Sequence, residues 1–463
     1  MSLKKVYLYP KKEESLLRYH PWLFSGAIQR IEGTPEEGEI VEIYTAGNNF
    51  LAVGHCQIGS IAVRILSFEN EPINHDFWKK RLQAAYELRR QLGLVNCHCG
   101  LDPQFPKAKC HCGLDPQSLP NNIYRLVHGE GDNLSGLIID IYANTAVMQA
   151  HTPGMHLAHK EIAEALKEVM GDAIDTIYYK SADTLPFKAE LDVEDGYLLV
   201  GQGIAGQARN DVLSSAIAGQ ARNDVLSSAI AGQARNDVSP SAIQARDSIL
   251  SSAIAVENGL KFKMDWEKGQ KTGFFVDQRD NRSLLEKYAK DRSVLNMFCY
   301  TGGFSCYAMR GGAKLVHSVD SSGRALALTN ANIALNFPND LRHKSFDTDA
   351  FKYLDEMGDQ YDLIVLDPPA FAKHKKVLRN ALQGYRKLNA LAFEKIKPGG
   401  IIFTFSCSQV VSKQDFRLTV FSAAAQSGRK IKILHQLAQP ADHPINIYHP
   451  EGEYLKGLIL AVE

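Results

Sequence analysis

Apolar and polar positions follow different patterns in successive parts of this 463-residue chain. Over residues 1–70, short alternating runs are separated by Gly and Asn, which predicts a β-rich domain. Residues 71–260 combine β-like runs with helical stretches, one from Asp76 to Leu94 and one from about Met155 to Met170, and predict a mixed α/β domain. The first of these helices would bury an apolar stripe formed by Phe77, Leu82, Ala85, Leu88 and Leu92.

The most informative pattern lies at residues 294–336. Residues 294–298 predict a short buried strand, and a small-residue turn at 301–303 leads into an apolar helix. A second strand, Leu315 to Val319, ends in Asp320. This order is the first half of a doubly wound nucleotide-type fold, in which the turn approaches a ligand and the acid accepts hydrogen bonds from a ribose. The glycines match no dinucleotide fingerprint, so an ordinary tight turn of an α/β protein stays an alternative.

Two internal repeats interrupt these patterns. NCHCGLDPQ at 96–104 recurs as KCHCGLDPQ at 109–117, and GQARNDVLSSAIA occurs twice intact and twice degraded within 202–254. The paired Cys-His-Cys units would suit zinc, but a metal site does not require the shared Gly-Leu-Asp-Pro-Gln. We therefore interpret 96–121 and 202–254 as surface insertions and expect no metal. Without the second insertion, DGYLLVG and VENGLKFKMDW would join as a hairpin.

Length and charge narrow the class of protein. A chain of this length is expected to hold two or three domains, which we place at 1–70, 71–260 and 261–463. Lys plus Arg equals Asp plus Glu at 52 each, so any binding to nucleic acid must come from local patches. The start has no signal-peptide core and no run of 18 apolar residues occurs, so we expect a cytoplasmic protein that does not contact membranes.

Two local patches are rich in basic residues. At the N-terminus, basic and aromatic residues are interleaved: Lys4, Lys5, Lys11, Lys12, Arg18 and Arg30 with Tyr7, Tyr9, Tyr19 and Trp22. They suit RNA backbone contacts and base stacking, with a solvated rim as the alternative. The densest basic stretch contains Lys373, His374, Lys375, Lys376, Arg379, Arg386 and Lys387. It suits phosphate positioning beside a reacting base, with a solvated helix start as the alternative.

Candidate chemistry lies at the ends of two predicted strands. Leu363 to Asp367 runs into two rigid prolines, so the acid emerges at the carboxyl end of a strand, where ligands of open α/β sheets bind. The strand IIFTF delivers Cys407 between two serines. A small buried core residue is the alternative for this cysteine, but a thiolate near an acid and a basic stretch suits covalent attack. A polar cluster formed by Asp277, Gln278, Arg279, Asn281 and Arg282, directly after aromatic residues, would line the mouth of a cofactor pocket or begin a capped surface helix.

Six motifs occur in the order VHGEGDNLSGLIID, KTGFFVDQRDNR, LNMFCYTGGFS, SVDSSGRAL, VLDPPAFAK and TFSCS. Together they resemble class I S-adenosylmethionine (SAM)-dependent methyltransferases, and more closely the RlmI-like family that makes 5-methylcytosine in large-subunit ribosomal RNA. The resemblance implies an α/β fold with three parts: an N-terminal β-rich PUA-type RNA-binding domain, a central mixed α/β domain, and a Rossmann-like methyltransferase domain with a mostly parallel seven-stranded sheet. It leaves open whether the chain forms a homodimer.

The resemblance also implies roles for particular residues. SAM would lie against Phe298, Tyr300 and Gly302, with its ribose on Asp320. Its adenine would lie near Asp349, and Asp367 would face both the methyl group and the base. The residues implied to contact the ribosomal RNA substrate are Pro368, Pro369, Phe371, Lys373, Lys375 and Lys376.

By similarity, Cys407 is the nucleophile that adds to C6 of cytosine, because C5 is too electron-poor to take a methyl group unaided. Addition makes C5 enamine-like; methyl transfer, loss of the C5 proton and expulsion of the thiolate then restore the ring. Asp367 would hydrogen-bond the N3 edge and share its proton. The Asp-Pro-Pro motif has no cysteine here, so the residue that removes the C5 proton is not identified. The target base must be flipped or unpaired.

Two other functions stay open. Asp-Pro-Pro-aromatic motifs also hold exocyclic amines, which suits an RNA methyltransferase acting on guanine or an amino group, although nitrogen methylation needs no thiol. A non-catalytic RNA-binding factor for ribosome assembly is the alternative from a different class.

Overall fold

The computed structural model describes residues 3–95, 121–186, 191–200, 254–358, 360–372 and 374–463. Residues 96–120 and 201–253, which carry the two repeats, lie outside the described residues, and so does Lys373. The zinc alternative and the role implied for Lys373 therefore stay untested.

Strands dominate the first half of the described chain, and strands alternate with helices from Leu260 to Leu437. The strands are β1 (Lys4–Leu8), β2 (Trp22–Phe24), β3 (Ile28–Glu32), β4 (Ile40–Tyr44), β5 (Phe50–Cys56), β6 (Ile61–Ser67), β7 (Ile123–His128), β8 (Leu137–Tyr142), β9 (Thr145–Ala150), β10 (Thr176–Tyr179), β11 (Gly196–Leu199), β12 (Ile254–Glu257), β13 (Leu260–Lys263), β14 (Ser293–Met297), β15 (Leu315–Asp320), β16 (His343–Asp347), β17 (Leu363–Leu366), β18 (Gly400–Ser406), β19 (Ile431–Leu437) and β20 (Lys456–Val462). The α-helices are α1 (Glu14–Leu17), α2 (His75–Gln91), α3 (Pro153–Leu157), α4 (His159–Met170), α5 (Arg279–Tyr288), α6 (Gly303–Arg310), α7 (Gly323–Asn336), α8 (Ala350–Glu356), α9 (Leu378–Lys395) and α10 (Lys413–Ser427). None of the helices in the described ranges is both long and apolar enough to cross a membrane.

The N-terminal strands form a six-stranded sheet in the order β2-β6-β5-β4-β1-β3. The alternation read from the sequence appears directly in β4, where Val41 and Ile43 are buried and their neighbours are not. These side chains join Val6, Leu8 and Leu23 in a core of their own. The sheet confirms the β-rich N-terminal fold.

The central region contains a five-stranded sheet in the order β11-β10-β9-β8-β7, against which α2 and α4 pack. Asn74 caps the start of α2 by accepting a hydrogen bond from the Phe77 amide at 3.1 Å. The predicted burial of Leu92 is wrong, because the helix ends at Gln91 and Leu92 is 39% exposed. Arg89 is buried instead, since Asp132 and two backbone carbonyls satisfy its guanidinium.

The predicted hairpin around the second insertion is also wrong. β11 pairs antiparallel with β10, whereas β12 pairs with β13. Asn258 and Gly259 both adopt positive φ, 47° and 80°, and form the two-residue turn that joins β12 to β13. The domain boundary predicted at residue 260 falls inside this hairpin.

The C-terminal half contains a seven-stranded sheet in the order β16-β15-β14-β17-β18-β20-β19. β20 runs antiparallel to both of its neighbours, and the remaining pairs are parallel. The mostly parallel seven-stranded sheet is thus confirmed. Along β17, Leu363 and Val365 enter one hydrophobic cluster, and Ile364 and Leu366 enter another. Both faces of the sheet are therefore covered, as expected for a doubly wound fold.

Buried ion pairs join the central and C-terminal regions. Asp442, in the segment between β19 and β20, accepts hydrogen bonds from the Arg279 guanidinium at 2.9 Å and the Arg125 amide at 3.0 Å. The Asp442 carbonyl accepts from Arg89 at 2.7 Å. The β19–β20 segment is thereby fixed against the central sheet and α5, close to the carboxyl ends of the parallel strands.

Candidate active site

The chain turns sharply after β14. The predicted strand includes Phe298, but β14 ends at Met297 because Phe298 already has a positive φ of 57°. Tyr300 and Gly302 also have positive φ, 47° and 78°. At Gly302 a Cβ would lie 2.7 Å from Cγ2 of Thr329, so only glycine fits. The result is a tight backbone turn, open to a ligand, at the carboxyl end of the sheet.

Asp320, the last residue of β15, holds this turn in place. Its Oδ2 accepts a hydrogen bond from the Tyr300 amide at 2.9 Å, and its Oδ1 accepts one from the Ser322 amide at 3.0 Å. Each carboxylate oxygen keeps a further lone pair, because a carboxylate offers about four acceptor sites. The half-buried Asp320 therefore fits the two hydroxyls of a ribose lying against the turn.

Tyr300 connects the turn to the segment before α5. Its hydroxyl donates to the Gly273 carbonyl at 3.2 Å and accepts from the Gln270 amide at 2.9 Å. Phe275 packs edge-on against the Tyr300 ring, with centroids 5.0 Å apart. The motif KTGFFVDQRDNR therefore packs against the glycine turn, although the two segments are not adjacent in sequence.

Asp349 lies on the far side of Asp320 from the sheet centre. β16 pairs with β15, and Asp349 follows it as the cap of α8, where it accepts from the Lys352 amide at 3.0 Å. Its side chain is exposed. The predicted contact with adenine stays a prediction.

Asp367 and Cys407 lie at the ends of neighbouring strands, β17 and β18. The Cys407 sulfur is 4.0 Å from the Pro368 carbonyl oxygen. Burial, and then the negative charge of Asp277, raises the pKa of Asp367 to about 7. Burial, and then the charge of Asp367, raises the pKa of Cys407 to about 12. The thiol is therefore protonated at rest, and a carboxyl group that exchanges its proton near neutral pH lies beside it.

The polar cluster at the start of α5 contains residues that hold the fold together and residues that lie near Asp367. Arg279 and Arg282 are buried in ion pairs with Asp442 and Glu257, so they hold the fold together. A hydrogen bond from the Gln278 side chain lowers the pKa of Asp367, against the larger effect of burial. The sequence indicates this cluster because polar residues directly follow aromatic ones. It does not indicate that the cluster lies beside Asp367.

Asp277 is the second acid at this end of the sheet. Its Oδ2 accepts a hydrogen bond of 2.7 Å from the hydroxyl of Tyr454, in the segment between β19 and β20. Its charge contributes to the raised pKa of both Asp367 and Cys407. The sequence indicates Asp277 as a member of the polar cluster but assigns it no chemical role. Its position in the motif KTGFFVDQRDNR was the available signal for such a role.

Lys456 was missed as well. This buried residue begins β20 and pairs across the sheet with Ser406, and its ammonium donates to the Ser408 carbonyl at 2.6 Å. Burial lowers its pKa to about 8, and a negative charge on Cys407 would raise that pKa. No local pattern could have indicated it, because the contact depends on strand pairing across the chain.

The implied substrate residues surround the same strand ends. Pro368 is buried and Pro369 is exposed, while Phe371 packs against Tyr385 with ring centroids 4.6 Å apart. Lys375 and Lys376 are exposed in a short turn before α9. The other described basic side chains of this stretch are also exposed, namely His374, Arg379, Arg386 and Lys387. A basic surface therefore borders the Asp367 and Cys407 site.

Some of the N-terminal basic and aromatic residues, which were predicted to contact RNA, make contacts within the protein. Trp22 donates to Glu130 at 2.8 Å and packs against His449, with ring centroids 4.3 Å apart, so it joins domains. Arg30 lies over the Tyr7 ring at 3.6 Å. Tyr19 stays 52% exposed, and its ring contacts those of Phe68 and Tyr448 with centroids 5.2 and 5.4 Å away.

Comparison with known proteins agrees with this arrangement. The family model described as S-adenosylmethionine-dependent methyltransferase matches residues 215–452, and a PUA-like domain model matches residues 6–68. Two solved structures, one described as a candidate SAM-dependent methyltransferase from Streptococcus mutans and one as a candidate methyltransferase complexed with S-adenosylhomocysteine, both give a TM-score of 0.71 and cover 99% of this chain and 100% of theirs. Their identities of 21% and 20% establish a shared fold.

The sheet order, the glycine turn with its strand-end acid and these matches define a Rossmann-like SAM-dependent methyltransferase with an N-terminal PUA-like domain. Proteins named ribosomal RNA large subunit methyltransferase I are close relatives in sequence. The one from Tolumonas auensis is 37% identical over 461 residues, covering 98% of both chains, and the one from Vibrio vulnificus is 34% identical over 467 residues, covering 99% of both. This chain belongs to the ribosomal RNA large subunit methyltransferase I family.

Proposed function

We propose that this protein methylates C5 of a cytosine in large-subunit ribosomal RNA, in the cytoplasm, through a covalent bond between Cys407 and C6. The observation that carries the proposal is the placement of a thiol and a carboxyl group that titrates near neutral pH at adjoining strand ends, beside a turn fitted to a ribose. The names of the relatives support the choice of RNA. We divide the chain into an RNA-binding domain (1–70), a central domain (71–260) and a catalytic domain (261–463).

Phe298, Tyr300, Gly302 and Asp320 would hold SAM, with Asp349 near its adenine. When bound, SAM supplies an electrophilic methyl group that an activated C5 can take. Asp320 is already oriented by two backbone amides, so it needs no rearrangement to accept the ribose hydroxyls. Asp367 follows the central strand β17 and would border both ligands.

Cys407 would attack C6 of the cytosine, and the new carbon–sulfur bond would turn C5 into an enamine-like carbon. The resting thiol is protonated and Cys407 is half-buried, so its proton would pass to solvent water as the carbon–sulfur bond forms. Asp367 would donate a hydrogen bond to N3 and so stabilise the negative charge that develops on the ring. The protonated form of Asp367 that this requires is available near neutral pH, since burial raises its pKa to about 7.

Pro368, Pro369 and Phe371 would contact the flipped base, and Lys373, Lys375 and Lys376 the phosphates near it. Exposure of Lys375 and Lys376 at the same edge as Cys407 supports this division between base and backbone contacts. The exposed Tyr19 of the N-terminal domain supports RNA stacking at a distance from the site.

The product of the reaction tests this function. We expect that incubation with SAM and large-subunit ribosomal RNA, followed by mass spectrometry of the nucleosides, yields 5-methylcytidine. Cys56→Ala is the matched control for Cys407→Ala, because Cys56 is another partly buried free cysteine, in the N-terminal sheet. Methyl groups found on N4 of cytosine or on guanine would refute the covalent reaction and favour the nitrogen methyltransferase. Failure to bind SAM would favour the non-catalytic assembly factor.

A further inference from the structure

The carboxylate of Asp277 is half satisfied. Its Oδ2 is held by the Tyr454 hydroxyl at 2.7 Å. Its Oδ1 is buried and has no hydrogen-bond partner among the described residues. A buried acceptor without a donor costs free energy, and such atoms require an explanation, which at an active site is often a role in the reaction.

The surroundings of Asp277 place it in the reaction site. The side chain of the next residue, Gln278, lowers the pKa of Asp367 and accepts a 2.6 Å hydrogen bond from Asn281. The short turn Val276–Gln278 that carries both residues is supported by Arg282, which donates to the Phe275 carbonyl at 2.9 Å and pairs with Glu257. Asp277 is therefore fixed on an element separate from β17 and β18, on which Asp367 and Cys407 lie.

We propose that Asp277 is the base that removes the C5 proton, taking it on the unpartnered Oδ1. This assignment rests on the proposed function, in which the base for this step was missing. After methyl transfer, C5 carries both a hydrogen and a methyl group. Asp277 takes the proton, the electrons of the C5–H bond form the C5=C6 double bond, and the C6–S bond breaks with its electron pair leaving on Cys407 as thiolate.

The two acids are suited to different tasks. Asp367 would enter the reaction protonated, as a donor to N3, and is poorly suited to accept a second proton at C5. Asp277 is anchored through Oδ2, and its buried Oδ1 has no hydrogen-bond partner among the described residues, which leaves that oxygen free to accept a proton. Two acids in one site with different environments is the usual arrangement for separate acid and base functions.

A single-turnover reaction separates the steps before and after proton removal. The full-length protein is mixed with SAM labelled in its methyl group and with ribosomal RNA carrying tritium at cytosine C5. For Asp277→Asn we expect tritium release to slow by roughly 10²- to 10⁴-fold, the usual contribution of a general base. We also expect an SDS-stable protein–RNA complex that already carries the labelled methyl group.

Two variants and one control keep this test decisive. Asp280→Asn is the control, because Asp280 lies three residues after Asp277, in the first turn of α5, with its side chain 63% exposed, and it should release tritium at the wild-type rate. Asp277→Glu keeps a carboxylate and should restore part of the release. Tyr454→Phe loosens the carboxylate while leaving Asp277 in place, and should slow tritium release less than Asp277→Asn while accumulating the same methylated complex.

The outcomes distinguish this assignment from the proposed function. Tritium release at the wild-type rate in Asp277→Asn would overturn the assignment. A folded Asp277→Asn protein that binds SAM but forms no methylated complex would overturn it too, since the defect would then precede proton removal. If the wild-type protein itself makes no 5-methylcytidine, the proposed function fails, and the assignment fails with it.

Discussion

Two acids end two strands of the same sheet, and their surroundings differ. Asp320, after β15, is half-buried and receives two backbone hydrogen bonds, so its carboxylate is stabilised and held still. Asp367, after β17, is also half-buried, but partial burial and the nearby charge of Asp277 raise its pKa to about 7. One environment favours a fixed acceptor for a ligand, and the other favours exchange of a proton. In the proposed function, the same residue type at equivalent strand ends would thus serve cofactor binding in one place and chemistry in the other.

The largest effect should come from removing the nucleophile at the chemical end. For Cys407→Ala we expect methylation to fall by more than about 10⁴-fold, because no other group forms the covalent bond. SAM binding, measured by calorimetry, should stay unchanged, because Asp320 and the glycine turn are untouched. Methylation by Cys407→Ala at the rate of Cys56→Ala would contradict the separation of the two ends.

The next variant removes the acid that is proposed to bind the ribose of SAM. For Asp320→Ala we expect SAM affinity to fall by about 10- to 100-fold, because hydrogen bonds to a charged group contribute about 1.5–3 kcal/mol. The reaction rate at saturating SAM should fall far less. Calorimetry together with rates at high SAM checks this, and an unchanged affinity would show that the acid does not receive the ribose.

The pKa of Asp367 predicts a stability difference that depends on pH. Because the folded value, about 7, exceeds the ordinary 3.8, the protonated acid stabilises the fold below about pH 4, and this stability is lost as the pH rises through about 7. We therefore expect Asp367→Asn to stabilise the protein at pH 8, on the order of 1–3 kcal/mol since one pKa unit is about 1.4 kcal/mol, and less at pH 5. Urea unfolding at both values measures it.

Asp320→Asn is the control for that comparison. It should destabilise the protein or leave its stability unchanged at pH 8, because it weakens two hydrogen bonds made by a carboxylate. Stabilisation by both variants would remove the contrast between the two strand ends.

The smallest effect should come from the basic surface beside the chemical end. For the double variant Lys375→Glu and Lys376→Glu we expect RNA affinity to fall roughly 10-fold and the dependence of binding on salt to become shallower, because each phosphate contact releases counterions. SAM affinity should stay the same. Filter binding at several salt concentrations checks this. If the double variant and the wild-type protein have the same salt dependence, the RNA binds elsewhere.

Much of the fold and part of the site were predictable because their signals are local. Asp320, Asp367 and Cys407 each follow a short apolar run directly, so the strand and the chemical group appear together in sequence. The order of strand, turn, helix and strand at 294–336 predicted the first half of a doubly wound fold, and the family resemblance implied the mostly parallel seven-stranded sheet. The turn at Asn258 and Gly259 was also a local signal, but it was overlooked in favour of pairing across the insertion.

The remainder depends on contacts between distant parts of the chain. The hydrogen bond between Tyr454 and Asp277 joins residues 177 positions apart, and the position of Lys456 beside Ser408 depends on pairing of β20 with β18. Arg89 is buried in α2 because Asp132 and Asp442 meet it there. No periodicity in the sequence encodes these contacts, so the position of Asp277 beside Asp367 was visible only in three dimensions.

The covalent bond between Cys407 and the base is the central claim, and trapping it is the most direct test. Ribosomal RNA containing 5-azacytosine has no C5 proton to lose, so the thiolate cannot be expelled once it has added to C6. With SAM present, we predict a denaturation-stable protein–RNA complex whose cross-linked peptide, identified by mass spectrometry, contains Cys407, and which the Cys407→Ala variant does not form. An adduct at another residue, or an equal yield from that variant, would contradict the claim.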